Sequence, residues 1–206
     1  MSNILITGSR NIICLDVIRN LRKNGNTIYT LETTDLILCK YSNCVKKYFY
    51  TKSVRFHEAE YIDYVLSLVK MYGIDVLLPF GEECFYLARN RGRISKECPD
   101  LLVYCEDIAK LEVLHNKLTF YNLIKGLGIA TPNTLQVFSV GEVEHYIKNN
   151  GRKVVLKPIY SRFASKLVIV DENNLHLIKN VDFDNDEWIM QDYIDGKLLL
   201  MHYLNI

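Results

Sequence analysis

The chain has 206 residues, of which 49% are hydrophobic, and its charged residues nearly cancel to a formal net charge of +1. This length and composition predict one large or two small domains with true cores. The charge balance gives no electrostatic reason to expect nucleic acid or a membrane surface as a partner. No apolar run approaches the length of a spanning helix, and no signal-like segment opens the chain. Six scattered cysteines without CxxC or metal-ligand spacing favour reduced thiols, so we expect a soluble cytoplasmic protein.

The first half of the chain is predicted to alternate strands and helices. Asn3–Thr7 is an apolar run that ends at a glycine turn, and apolar residues then recur at helical spacing until Gly25. A second strand, predicted over 27–31, completes a βαβ unit and implies a parallel sheet. Further strands are predicted over 45–50, 74–80 and 101–105, with helices over 61–72 and around residues 87–88.

Two glycine turns fall at the carboxyl ends of predicted strands, where open parallel sheets bind ligands. The turn at Gly8 offers N–H groups to an anion, but other residues occupy the second and third glycine positions of the dinucleotide fingerprint. We therefore expect this turn to be structural, although Glu32 stands about where a ribose-binding acid would fall. Glu82 and Glu83 follow the second turn. Acids in the first turn of a helix commonly favour its dipole, and the alternative is a carboxylate that holds an amine or hydroxyl of a substrate.

The second half is organised around residues 153–170, KVVLKPIYSRFASKLVIV. The apolar runs 154–156 and 167–170 are predicted to form a hairpin, in which pairing of the first strand stops at Pro158 because proline lacks an amide hydrogen. Lys157 opens the connection, which also carries Ser161, Arg162, Ser165 and Lys166. A lysine at this place suits a phosphate, and loop N–H groups and hydroxyls can complete the cradle. The alternative is a solvated hairpin tip.

A further strand is predicted over 187–194, EWIMQDYI, before a turn at Asp195-Gly196. The ordered array VVLKP, SRFAS, LVIV and QDYIDG resembles the nucleotide half of the ATP-grasp superfamily. The resemblance implies that the lysine before proline contacts the phosphates of ATP and that the loop folds over them. It also implies that backbone groups of the QDYI segment face the adenine edge. The nucleotide-binding residues implied so far are Lys157, Ser161, Arg162, Ser165, Gln191, Asp192, Tyr193 and Ile194.

A helix is predicted over 115–128, HNKLTFYNLIKGLG, and a second over Val140–Asn150, which Gly151 ends. In ATP-grasp relatives the first of these is an entry helix, with a lysine at its start that reaches the phosphates, and Lys117 matches that lysine. If the resemblance is set aside, Lys117 is predicted to be an ordinary exposed lysine on a helix.

The first half resembles the domain that precedes the ATP-grasp module, through TGSRNIICLDVIRNLRKNGNTIY and IDVLLPFGEECFYLA. The pattern is similar to short proteins related to the large subunit of carbamoyl-phosphate synthase. The resemblance implies an α/β protein with a Rossmann-like, parallel-sheet pre-ATP-grasp domain over 1–110. The N-terminal α+β lobe of an ATP-grasp domain would follow over 111–206, with the hinge and the start of an incomplete second lobe. In that group the first domain contributes to the acceptor-substrate site.

Three features depart from the family pattern. Ala164 stands where the loop commonly has glycine, which predicts a stiffer loop. Asp192 replaces a more usual glutamate, which matters little if backbone groups contact the base. Leu198 falls where relatives carry a glutamate that accepts the ribose hydroxyls, and an alkyl group cannot accept a hydrogen bond.

The chain also stops at Ile206, before the lobe that bears the Mg²⁺ ligands in ATP-grasp enzymes. Phosphoryl transfer relies on metal neutralisation of charge, so we expect Mg²⁺ only if the missing lobe is supplied. The acidic run over 182–187 is too short for a calcium loop and is predicted to be a solvated turn. We therefore assign no catalytic residue and no metal ligand.

Three hypotheses remain. The chain could be the N-terminal portion of an ATP-grasp carboxylate–amine ligase, truncated or completed by a partner, with an unknown carboxylate and amine as substrates. It could instead be a non-catalytic nucleotide-binding module, or a structural dimer whose predicted last strand, 198–204, pairs with another copy. We favour the first, and we expect the chain alone to be inactive and to form a homodimer or bind a complementing chain.

Overall fold

The computed structural model describes residues 1–34, 38–161, 164 and 166–197. The chain divides into two units, Met1–Leu111 and Glu112–Ile206. The predicted strand over 198–204 and the predicted ligands Arg162 and Ser165 lie outside the described residues. In the part of the chain that the structure describes, no helix combines the length and the apolarity needed to cross a membrane.

The first unit contains a five-stranded sheet in which every strand pair is parallel, in the order β3-β2-β1-β4-β5. The strands are β1 Asn3–Thr7, β2 Thr27–Glu32, β3 Val45–Tyr50, β4 Val76–Pro79 and β5 Leu102–Val103. The helices are α1 Ile12–Lys23, α2 Glu58–Tyr72, α3 Glu83–Arg89 and α4 Arg91–Glu97, and a 3₁₀ helix spans Leu38–Tyr41. The predicted parallel, Rossmann-like sheet is confirmed, while α4 is an element that the sequence analysis missed.

Alternate residues of the central strand β1 pack against different helices. Ile4 and Ile6 lie in one apolar cluster with Ile18 of α1, whereas Leu5 lies in another with Ile62 of α2. Because successive side chains point to opposite faces of a strand, both faces of the sheet are covered. Such coverage is what an all-parallel sheet requires.

The second unit contains an antiparallel sheet in the order β6-β9-β7-β8. Its elements are α6 Lys117–Gly126, β6 Thr134–Val137, α7 Val140–Asn150, β7 Val154–Pro158, β8 Val168–Val170, a 3₁₀ helix Leu175–Asn180 and β9 Trp188–Asp192. A further helix, α5 Ile108–His115, lies across the boundary between the units. Leu156, Trp188 and Met190 of the sheet pack against Val143 and Ile147 of α7 to form the core of this unit.

The predicted hairpin is present, but its first strand continues further than expected. β7 pairs with β8 only from Val154 to Leu156. Its pairing with β9 extends to Lys157 and Pro158, so the prediction that pairing stops at the proline is wrong on that side. Proline lacks a donor but keeps its carbonyl acceptor, and a strand can therefore retain a neighbour at that position. Helix α5 and strand β6 were also absent from the predicted elements.

The two glycine turns of the first unit enclose one carboxylate. Glu83 is only 6% exposed, and its Oε1 accepts hydrogen bonds from Gly81 N at 2.9 Å and from Thr7 Oγ1 at 3.1 Å. A Cβ on Gly8 would overlap Glu83 Oε1, and one on Gly81 would lie 2.6 Å from Oε2. Gly8 also has φ +69°, in the left-handed region that favours glycine. The absence of side chains at both turns is therefore what makes room for Glu83.

We predict that Gly8→Ala lowers the free energy of unfolding by about 2–4 kcal/mol, because it combines a left-handed alanine with an overlap at a buried carboxylate. Gly92→Ala, in helix α4 of the same unit, is the matched control. A Cβ there meets nothing within 4 Å, so helix propensity should raise stability by up to about 1 kcal/mol. Urea denaturation followed by circular dichroism measures both, and equal small effects would contradict the role given to Gly8.

Candidate functional site

A cavity of about 310 Å³, here called the Lys157 cavity, lies on the face of the antiparallel sheet that does not pack against α7. Its volume is at the lower end for small-molecule sites. Helix α6, the segment before β6, and strands β7 and β9 form the wall. The lining residues are Lys117, Phe120, Tyr121, Ile124, Thr131, Pro132, Lys157, Ile189 and Gln191. The wall is thus mainly apolar, with two lysines, one amide and the hydroxyl-bearing Tyr121 and Thr131, a composition that suits a flat apolar ring attached to an anion.

Lys157 is held at the cavity wall by a neutral partner. Its Nζ donates to Gln191 Oε1 across the β7–β9 pair at 2.7 Å. Among the described residues, no carboxylate lies within ion-pairing distance of this ammonium group. Desolvation lowers the pKa of Lys157 below its ordinary value of 10.5. A lysine whose charge is desolvated and not neutralised by a carboxylate is a suitable receptor for an anionic ligand.

Lys117, the first residue of α6, holds the backbone that follows β7. Its Nζ donates to Ile159 O at 3.1 Å and to Ser161 O at 2.9 Å. Asn116 caps the helix, accepting from Leu118 N at 2.9 Å, and so fixes the place at which Lys117 begins it. The structure therefore brings both predicted lysines to one cavity.

The remaining predicted residues are placed differently. Ser161 Oγ donates to Pro158 O at 3.3 Å, and Ile194 is 67% exposed. The Asp192 carboxylate accepts from Tyr146 OH on α7 at 2.7 Å and pairs with Arg152 at 2.6 Å. This side chain therefore points to the core face of the sheet, as the alternation of a strand requires.

Two of the hinge amides predicted to face adenine already have partners. Asp192 N donates to Asn133 O, and Tyr193 N donates to Lys153 O, each at 2.9 Å. The Tyr193 ring lies 4.5 Å from Lys153 Nζ in a cation–π contact. A base at this hinge would therefore have to use other groups than these two N–H donors.

Ala164, which stands where the loop commonly has glycine, has a backbone conformation that glycine favours. Ala164 adopts φ +54°, in the left-handed region where glycine is favoured.

The acidic run over 182–187 forms a closed turn, in which Asp182 Oδ1 accepts from Asp184 N and Asn185 N. Among the described residues, no group of three or more His, Cys, Asp or Glu side chains could hold a metal ion.

The first unit carries a second cavity, here called the Glu83 cavity, at the carboxyl ends of its strands. It has a volume of about 130 Å³, a size that fits roughly one benzene-like group. The lining residues are Gly8, Arg10, Leu31, Glu32, Thr33, Ser53, Val54, Arg55, Tyr61, Glu82, Glu83 and Tyr86. The cavity thus combines two arginines with three carboxylates.

The two most buried carboxylates of this cavity have structural partners. Glu32, 2% exposed, accepts from Arg10 N at 3.1 Å and from Thr33 N at 2.8 Å, so it ties the Gly8 turn to the end of β2. Burial raises the pKa of Glu83 above its ordinary value of 4.5. These contacts support the interpretation that the Gly8 turn and the first-turn acid Glu83 have structural roles.

Thr134, which supports Gln191, was not among the predicted site residues. Thr134 is 3% exposed and its Oγ1 accepts from Gln191 Nε2 at 2.8 Å. It lies on β6, whose sequence TLQV alternates polar and apolar residues over only four positions. Successive side chains of a strand point to opposite faces of the sheet. Along WIMQD this places Ile189 and Gln191 on one face of β9, and Trp188, Met190 and Asp192 on the other.

Comparison with known proteins identifies the fold. No protein-family profile matches the sequence, and no curated protein sequence matches it. Solved structures do match. N5-carboxyaminoimidazole synthetase from Staphylococcus aureus, complexed with ADP, superimposes with a TM-score of 0.70 at 15% identity, over 95% of this chain and 48% of that one.

Two other structures match similarly. L-amino acid ligase from Bacillus licheniformis gives a TM-score of 0.68 at 13% identity, over 95% of this chain and 45% of the other. The biotin carboxylase–β,γ-ATP complex from Campylobacter jejuni gives 0.67 at 15% identity, over 94% and 45%. The present chain thus spans about half the length of these proteins, and its fold is that of the N-terminal part of ATP-grasp enzymes. The closer resemblance to carbamoyl-phosphate synthase stays a prediction.

The raised pKa of Glu83 predicts a pH-dependent stability. Between pH 4.5 and the folded-state pKa, the folded protein binds more protons than the unfolded chain. The contribution of Glu83 is therefore fully present below pH 4.5 and is lost as pH rises through the folded-state pKa. Glu83→Gln removes this titration, so the stability of wild type relative to the variant should fall with rising pH, by about 1.4 kcal/mol for each pH unit between the unfolded-state and folded-state pKa values. Urea unfolding at a series of pH values measures it, and a flat difference would exclude the effect.

Proposed function

We propose that this chain is the nucleotide-binding, N-terminal portion of an ATP-grasp carboxylate–amine ligase related to the large subunit of carbamoyl-phosphate synthase. Lys157 and Lys117 hold phosphates of ATP, and the segment from Ser161 to Ser165 covers them. The apolar wall of the Lys157 cavity receives the adenine, beside the segment Gln191–Ile194. The complete enzyme transfers a phosphoryl group to a carboxylate, and an amine then captures the acyl phosphate.

The observation that carries this proposal is the environment of Lys157. An ammonium group with a lowered pKa faces a neutral amide oxygen at the edge of an apolar cavity. Burying a charge without a charged partner is unfavourable, and an anionic ligand relieves that penalty. A purine nucleotide joins a flat base to phosphates, and those two parts match the apolar wall and the lysines. The ADP bound by the S. aureus enzyme of similar fold is consistent with this assignment.

The acceptor is assigned to the first unit. The Glu83 cavity lies at the carboxyl ends of parallel strands, where sheets of this type bind ligands, and it offers arginine and carboxylate groups to a polar substrate. Mg²⁺ and the second lobe, supplied by a complementing chain, complete the reaction. Alone, the chain binds ATP in the cytoplasm without turning it over.

A thermal-shift titration with ATP, with and without Mg²⁺, tests the nucleotide site. At an ATP concentration about a hundred times its Kd, wild type should gain roughly 2.7 kcal/mol of stability, which is readily seen as a rise in Tm. Lys157→Ala should lose most of that rise, because it removes the charge at the cavity wall. ATP binding that requires no Mg²⁺ is the expected result for this portion of the enzyme.

Lys148→Ala is the matched control. Lys148 is an exposed lysine on α7, where it pairs with Glu144 at 3.2 Å and does not line the Lys157 cavity. The control removes the same net charge, so it should keep the rise in Tm of wild type. No rise with wild type, or an equal rise with Lys157→Ala, would contradict the proposed nucleotide site.

A further inference from the structure

A chain of hydrogen bonds links Lys157 and Gln191, in the wall of the Lys157 cavity, to the buried Thr134 on the neighbouring strand. Lys157 Nζ donates to Gln191 Oε1 at 2.7 Å, and Gln191 Nε2 donates to Thr134 Oγ1 at 2.8 Å. Thr134 Oγ1 in turn donates to Pro132 O at 3.0 Å. Thr134 does not line the cavity itself and is almost fully buried.

The chemistry of these groups allows one orientation of the amide. A hydroxyl has a single proton, and Thr134 uses it on the Pro132 carbonyl, so toward Gln191 it can act only as an acceptor. An ammonium group has donors and no acceptor, so Lys157 requires an oxygen. Both neighbours therefore direct Nε2 of Gln191 toward Thr134 and Oε1 toward Lys157. The cavity wall presents a lysine donor beside an amide acceptor.

The orientation of the Gln191 amide distinguishes two purines. Adenine carries an amino donor at position 6, whereas guanine carries an oxo acceptor there. The amide oxygen of Gln191 can accept from the amino group of adenine, but it would oppose the oxo group of guanine. To accommodate guanine, Gln191 must turn its amide, and in doing so it loses its bonds to both Lys157 and Thr134.

We propose that Thr134 is a positioning residue that sets the base preference of the cavity, by holding the Gln191 amide in the orientation that selects a 6-amino over a 6-oxo purine. This inference rests on the proposed nucleotide-binding function. Removing the Thr134 hydroxyl leaves one bond to be lost when the amide turns, and Nε2 of Gln191 can then donate to the oxo group of guanine. The preference for ATP over GTP then weakens, while the cavity itself is unchanged.

The experiment compares ATP and GTP binding, by calorimetry, in wild type, Thr134→Val and Thr134→Ser. We expect Thr134→Val to lower the ratio of the Kd for GTP to the Kd for ATP by about tenfold, the effect of one hydrogen bond. Thr134→Ser keeps the hydroxyl and should restore the wild-type ratio. If Thr134→Val weakens both nucleotides by the same factor, its role is structural only and the proposal is wrong.

Thr30→Val is the matched control. Thr30 is a fully buried strand threonine of the first unit, and its Oγ1 has no hydrogen-bond partner in the described part of the chain. Its substitution removes the same atoms from a core strand, so the nucleotide ratio should stay at the wild-type value. A changed ratio in Thr30→Val would overturn the assignment of the effect to Thr134.

A measurement without nucleotide separates this inference from the proposed function. The pKa of Lys157, followed by NMR through its side-chain carbon signals, should fall further in Thr134→Val, because a released Gln191 no longer stabilises the ammonium group. It should be unchanged in Thr134→Ser. If wild type binds neither nucleotide, the proposed function and the base preference both fail. The NMR titration of Lys157 then decides separately whether Thr134 positions Gln191. If the pKa of Lys157 is the same in Thr134→Val as in wild type, the positioning role of Thr134 is also wrong.

Discussion

The pairing of β7 with β9 brings the side chains of Lys157 and Gln191 into hydrogen-bonding contact, and the candidate site of the second unit depends on that contact. β7 and β9 are the two inner strands of their sheet, so their core-facing residues are enclosed by α7. Their other face is left to line a cavity. A charge kept half-buried beside a neutral amide is unfavourable for folding alone, and sites of this kind commonly retain such groups for a ligand.

The first unit handles its buried charge in another way. Glu83 has no cationic partner among the hydrogen bonds and ion pairs of the described residues, and its Oε1 instead accepts from Thr7 and Gly81. Backbone and hydroxyl donors of this kind offset part of the desolvation that raises its pKa. Each unit therefore holds one desolvated ionisable group at a cavity, the basic Lys157 in one and the acidic Glu83 in the other. Each of these groups is hydrogen-bonded to neutral partners.

The sequence predicts this fold best where the chain contains its own end signals. Helix α7 has the predicted bounds, because Ser139 caps its start and Gly151, at φ +58°, ends it. Helix α5, IAKLEVLH, distributes its apolar residues around the helix axis, so its sequence shows little of the one-sided apolar periodicity that predicts a helix. Strand β6 alternates polar and apolar residues over only four positions, which is too short a pattern to predict a strand. It is stabilised by pairing with β9, which lies in a distant part of the sequence. The lysines of the site follow from motif order, whereas Thr134 lies 57 residues from the amide it holds and no local pattern connects them.

The position of β9 has a consequence for synthesis. It is the last of the four strands along the chain, yet it lies between β6 and β7 in the sheet. On the ribosome, the first unit has all its strands once Val103 has emerged, while the described pairing of β6 must wait for residues up to Asp192. Nascent domains fold as units in the order of their synthesis. From their own emergence until β9 has emerged, the apolar side chains of Ile147 and Leu156 therefore lack Trp188 and Met190, their partners in the second core.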